Sequence, residues 1–294
     1  MNASRTAYEP IVGRPALRGP DGARLIVHVI VNVEEWSLER AMPRTVLPPP
    51  QGISVVPDVP NYAWAEYGMR VGIWRLFEAL KRYDARATLS INANVCNSYP
   101  QIVERAVGAD WEMMGHGFVQ RALNVEDDER GVIKRTLDLL HERTGTRPRG
   151  WLGPGLCETW NTLEHLRAEG VEYVCDWGPM DDQPVVLQTD NGPITAVPYP
   201  TDMNDIVLYA IERHSSAELF ERGCRQFDTL YAESETNTRV MPIALHPYLT
   251  GVPHRIGYLE KLLHYMSDHA GVVFMRGGDI LDWYRSQISI AAAH

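Results

Sequence analysis

The chain has 294 residues, 45% of them apolar, and its 28 basic and 38 acidic side chains leave a formal charge of -10. That is enough apolar material for one large core, and an acidic balance without a Lys/Arg stripe argues against a nucleic-acid partner. No run approaches the roughly 18 apolar residues of a membrane span, and Cys96, Cys157, Cys175 and Cys224 lack the spacing of a disulfide framework or a thiolate zinc site.

The first 24 residues, rich in Pro and Gly, read as an N-terminal extension to a single domain over 25–294, and they lack the apolar core of a signal peptide. A cytoplasmic protein is the expectation. "RLIVHVIVNV" (24–33) is nearly continuous in its hydrophobicity, as a strand buried on both faces must be. From Ser37 to Tyr62 repeated Pro predicts a long irregular loop, and loops of that length inside compact domains tend to cover or build binding sites. Helix and strand then alternate. Helices are predicted over 70–83, 99–108, 125–145, 159–170, 216–232, 255–270 and 278–287, and strands over 86–94, 111–116, 149–152, 171–177, 240–246 and 272–275. "PVVLQ" and "ITAVPY" read as a strand pair around the turn "TDNGP". This order predicts an α/β fold: a distorted (β/α) barrel with seven or eight strands, with an open doubly wound sheet as runner-up. No Gly-x-Gly-x-x-Gly follows a strand, which weakens a dinucleotide reading.

Barrels carry their chemistry at the C-terminal ends of the strands. The polar residues there are Asn32, Glu34, Glu35, His116, Arg149, Asp176 and His246, with Trp151 and Trp177 beside them. Carboxylates, two imidazoles and aromatic walls at one mouth suit hydrolysis, which needs a base for water and an acid for the leaving atom. Glu34 and Glu35 read equally well as ordinary acids at a loop start, and Trp177 as core. His116 sits between two glycines that let its ring project, and His246 precedes Pro247, which ends the strand at the rim. The remaining histidines of helices and strands, His28 among them, read as structural or surface groups.

The succession of acids after the first strand, "EMMGHG", "RGWLGPG", "YVCDW" and "IALHPYL" resembles the polysaccharide deacetylase superfamily. "EYGMRVGIWRLFEALKRYDARATLSINANV" and "VPYPTDMNDI" are similar to its allantoinase-like, cyclic-amide-hydrolysing and peptidoglycan-deacetylase-like branch. The resemblance spans about Leu25 to Trp283 and implies hydrolysis of a non-peptide C–N bond, with barrels that associate into homo-oligomers. Metal-dependent members present two Asp after the first strand and two His four residues apart. Here the matching positions are Asn32, Glu34 or Glu35, His116 and Gln120. An amide is a poor zinc ligand, so no cofactor is the favoured expectation. Zinc or another divalent metal on Glu34 and His116 is the alternative, as are a metal-dependent deacetylase of an N-acyl sugar and a silent barrel that binds a small ligand. In the favoured scheme Glu34 or Glu35 activates water and His246 or His116 protonates the leaving nitrogen. Backbone N–H groups at the rim, or Arg70, would steady the oxyanion, Arg70 reading equally well as a brace on its helix; Trp151 and Trp177 would wall a small-molecule site, and motif position gives Asp176 and Asn204 the amide edges of the substrate.

Overall fold

The computed structural model describes residues 5–292. Its strands are β1 (Leu25–Val33), β2 (Thr88–Ile91), β3 (Glu112–Gly115), β4 (Gly150–Trp151), β5 (Tyr173–Val174), β6 (Val185–Leu187), β7 (Ile194–Ala196), β8 (Arg239–Leu245) and β9 (Val272–Phe274). The helices are α1 (Val59–Tyr67), α2 (Ile73–Arg82), α3 (Val95–Ser98), α4 (Pro100–Gly108), α5 (Glu129–Thr144), α6 (Thr162–Ala168), α7 (Glu218–Glu233), α8 (Ile256–Ser267) and α9 (Gly277–Ala292). The sheet runs β6-β7-β5-β4-β3-β2-β1-β8, with β9 on the lower half of β1. All pairings are parallel except the β6–β7 hairpin. The architecture is α/β, a curled sheet with helices outside it. Its free edge at β8 is met by the chain beyond β7: Ala244 N–H donates to Met203 O at 3.0 Å, and Asn204 bridges Ala244.

Strand parity sets what faces what. In β1 the odd residues Leu25, Val27, Val29, Val31 and Val33 pack against the helices, with Phe77 of α2 and Leu262 of α8 in the same core. The even residues Ile26 and Ile30 pack inside the curl with Met114, Leu152, Tyr173 and Ala244. Burial on both faces is why β1 reads as unbroken hydrophobicity. Each element predicted between 70 and 287 is present, several a few residues shorter than the sequence pattern suggested.

The predicted loop is interrupted earlier than expected. α1 begins at Val59, with Pro60 in its first turn, where a missing N–H costs nothing, and Asp58 capping Asn61 N–H. In its first turn Asn61 is fully buried and holds the preceding loop: its Oδ1 accepts from the N–H of Val46 and Leu47, at 2.8 and 3.1 Å, and its Nδ2 donates to Leu47 O. Trp36, Met42, Pro43 and Arg44 line one small cavity together with Trp64 and Tyr248, so the loop lies against the turn that follows β8. Between α1 and α2 the helix widens to a π-turn over Gly68–Gly72. A Cβ on Gly68 or Gly72 would meet Tyr248 N at 2.7 Å or Pro247 O at 2.0 Å, so only glycine lets this helix approach the same turn.

Candidate active site

β1 ends at Val33, and the even parity of Ile26, His28, Ile30 and Asn32 carries on to Glu34, whose side chain enters the curl. Its Oε1 lies 3.5 Å from His116 Nε2 and 3.6 Å from His246 Nε2, and accepts from Gln120 Nε2 at 2.8 Å. The two histidines, 130 positions apart in the chain, thus converge on one carboxylate at the C-terminal end of the sheet.

Each imidazole has its far nitrogen fixed. His116 Nδ1 donates to Leu152 O at 2.6 Å, because a carbonyl can only accept, and this leaves Nε2 as the nitrogen facing Glu34. Nε2 is buried and makes no hydrogen bond. His246 Nδ1 donates to Asp205 Oδ1 at 2.6 Å, while Asp205 Oδ2 accepts from His246 N–H and from Thr250 Oγ at 2.7 and 2.6 Å. Burial works against the imidazolium, but the Asp205 and Glu34 carboxylates outweigh it and raise His246 to about 9. Burial likewise pushes Glu34 up, yet His116 and His246 together hold it well below the usual carboxylate range. At neutral pH the site therefore holds a Glu34 carboxylate and a His246 imidazolium with an N–H to give, and His116 Nε2 lies buried beside them without a hydrogen-bond partner.

The other predicted residues take different places. Glu35 turns outward: its carboxylate accepts from Asn94 Nδ2 at 3.0 and 3.1 Å and from Ser98 Oγ at 2.7 Å, bracing α3. Trp151 has odd parity in β4 and is buried under α5 and α6 with Ile133, Leu137 and Leu163, so it is core rather than a wall of the site. Trp177 packs on that same cluster, and its indole N–H donates to Glu158 at 3.0 Å. Asp176 accepts from Gly153 N–H at 2.7 Å. Arg70 is exposed on the π-turn. Asn204 and Asn32 each donate to Tyr199 OH at 3.3 Å, which brings Asn32 and Asn204 into one buried network near Glu34. Asp205 was not foreseen. It is the N-cap of a π-helix over Ile206–Ile211, outside every strand, and the bridge of Asn204 to Ala244 of β8 brings it to His246.

Glu34 Oε1, His116 Nε2 and His246 Nε2 face one another at the mouth, with His246 Nδ1 held by Asp205. Gln120 presents its NH2 to Glu34 while its carbonyl oxygen accepts from Asn92 Nδ2 at 3.0 Å. Zinc sites use three or more protein donors, and among the described residues no group of three His, Cys, Asp or Glu side chains is arranged to hold one. No helix among the described residues is long and apolar enough to cross a membrane.

The polysaccharide deacetylase family model matches residues 65–174. A Helicobacter pylori peptidoglycan deacetylase is 23% identical over 72% of this chain and 83% of its own length. Among solved structures, a "probable polysaccharide deacetylase" from Pseudomonas aeruginosa PAO1 is 27% identical, covers 94% of this chain and 95% of its own, and superposes with a TM-score of 0.82. Puue allantoinase is 26% identical, covers 96% and 98%, and superposes at 0.83. The chain thus matches the polysaccharide deacetylase family model over residues 65–174 and is similar over most of its length to deacetylases and an allantoinase, which places it among hydrolases of carbon–nitrogen bonds other than peptide bonds.

Proposed function

We propose that the protein hydrolyses a C–N bond in a small cyclic amide, ureide or imide, and does so without a bound metal. The observation that carries this reading is the Glu34 carboxylate set between two imidazoles whose far nitrogens are already fixed. In the reaction, water attacks the substrate carbonyl as His116 Nε2 takes its proton. His246 Nε2–H then protonates the departing nitrogen as the tetrahedral intermediate collapses, and the ring opens to a carboxylic acid and a free nitrogen group. The negative charge of Glu34 stabilises the imidazolium at each stage and holds the two rings apart. Its depressed pKa makes it a weaker base than an imidazole, so Glu34 orients the proton carriers rather than serving as one.

Two features favour a small substrate. Trp36, Met42, Pro43 and Arg44 of the long loop line a small cavity with Tyr248, in the turn that follows His246, so the loop lies beside the site, where it would narrow the space open to a polymer. The overall likeness to an allantoinase, a ring-amide hydrolase, spans almost the whole of both chains.

Purified protein should turn over at least one of a panel of allantoin, hydantoins, cyclic imides and simple formamides, with activity retained in a chelator. His246→Ala should lower kcat/KM by about 10³-fold. Turnover of an N-acetylated sugar alone, or only after zinc is added, would replace this reading with a metal-dependent deacetylase. Tight binding of panel members without turnover would make the protein a silent barrel.

A further inference from the structure

His246 has a carboxylate directly behind it; His116 has only a peptide carbonyl. That carbonyl belongs to the peptide group joining Leu152 to Gly153, and the N–H of the same group donates to Asp176 Oδ1 at 2.7 Å. The chain of contacts runs from the Asp176 carboxyl through one planar amide to His116 Nδ1, 2.6 Å from the carbonyl oxygen. An amide whose N–H is engaged by a carboxyl is both fixed in orientation and polarised toward a stronger carbonyl acceptor.

We propose that Asp176 is a positioning residue for the reaction, which holds the 152–153 peptide so that His116 keeps its proton on Nδ1 and offers Nε2 to the substrate side. This deepens the proposed function, since it rests on His116 acting as the base.

Three observations beyond the hydrogen bond support it. Gly153 has an ordinary backbone conformation, with φ -68 and ψ 141, so its lack of a side chain is not a matter of torsion. A Cβ there would lie 2.7 Å from Asp176 Oδ1 and 3.0 Å from Cys157 O, so glycine is what allows the carboxyl to reach the N–H. The peptide has no second acceptor competing for it, while Asp176 Oδ2 is buried without a hydrogen-bond partner, so the carboxyl is held there by this contact. Burial and the nearby Glu158 carboxylate push the Asp176 carboxyl well above its ordinary range. Since Oδ1 accepts from Gly153 whether or not the other oxygen carries a proton, the positioning holds in either state.

The test reads the resting enzyme and so does not depend on finding the substrate. Nitrogen-15 NMR of the histidine rings should show His116 as the pure Nδ1–H tautomer in the wild type and in Asp176→Asn, whose amide oxygen still accepts from Gly153. Asp176→Leu should give a mixture of tautomers at His116, with the His246 ring signals unmoved as the internal control for folding. Gly153→Ala, which adds only the Cβ, should give the same mixture. With a substrate in hand, Asp176→Leu and Gly153→Ala should lower kcat about tenfold at nearly constant KM, and Asp176→Asn should restore it. A pure Nδ1–H tautomer in both Asp176→Leu and Gly153→Ala overturns the proposal, as does an Asp176→Asn spectrum that matches Asp176→Leu. Correct tautomer shifts without any turnover would leave the positioning standing and remove the catalytic reading of His116.

Discussion

The two ends of the curled sheet each bury a glutamate and a histidine, and treat them in opposite ways. At the C-terminal end Glu34 lies between His116 and His246, with Asp205 behind, and charge wins: the glutamate is held low and His246 rises to about 9. At the N-terminal end His28 Nε2 meets Thr88 Oγ at 3.0 Å, Thr88 is linked to Glu112 at 3.5 Å, and the N–H groups of Gly277 and Gly278 at the start of α9 donate to Thr88 and Glu112. Tyr173 OH also donates to Glu112 at 3.0 Å. There burial wins: it lowers His28 to about 4 against the pull of the Pro198 carbonyl, and raises Glu112 against its Gly278 and Tyr173 donors. The same residue types are pushed toward their charged forms at one end and away from them at the other, because only at the first do acid and imidazole face one another across short distances without a hydroxyl between them.

The sharpest way to break this contrast is Asp205→Asn, which makes His246 resemble His28. It should lower kcat/KM by about 10²-fold and move the alkaline limb of the pH–rate profile, expected near 9 in the wild type, downward. The same change should appear in stability. A histidine raised on folding stabilises fully below the unfolded value of about 6.5, and the contribution fades as pH rises through about 9. Urea titrations at pH 6 and pH 10 should therefore show a pH-dependent difference of up to about 3 kcal/mol in the wild type that Asp205→Asn removes. Glu34, shifted down, acts in the other direction: its contribution is present above about 4.5 and is lost as pH falls further.

His28→Gln tests the other end through stability, with little effect on the chemistry. Because His28 is lowered on folding, the unfolded chain takes up a proton between pH 6.5 and about 4 that the folded one refuses. The wild type should lose up to about 3 kcal/mol over that interval. Urea titrations of His28→Gln should show a flatter acid limb, and kcat/KM should change less than about twofold. The smallest effect belongs to Glu35→Gln, which loosens the brace on α3. A kcat/KM within about threefold of wild type is the expected outcome, and a hundredfold loss would return Glu35 to the reacting groups.

Much of this was legible in the sequence, because strand and helix periods are local signals. The alternation of elements, the hairpin at "TDNGP", and His116 and His246 at strand ends could all be read without coordinates. Parity went further than the strand boundaries suggested. Counting by twos from Ile26 through His28, Ile30 and Asn32 reaches Glu34 and turns Glu35 outward, even though β1 has formally ended. In the same way Leu152, and not Trp151, faces inward. Asp205 and the 152–153 peptide left no local trace: one depends on a register between 204 and 244, the other on a backbone group with no letter of its own in the sequence. Position at a strand end misplaced Trp151 for a related reason, since it gives a location along a strand and says nothing of which face a side chain takes.

The clamp made by Asn61 also bears on how the enzyme could be redesigned. It grips the covering loop at Val46 and Leu47 and leaves the prolines of 48–50 and the residues up to 57 outside its grasp. Insertions in that outer portion would lengthen the loop without shifting the part that Asn61 holds. A change of one residue between Met42 and Leu47 would instead shift the segment that meets Tyr248 beside His246, without touching either imidazole.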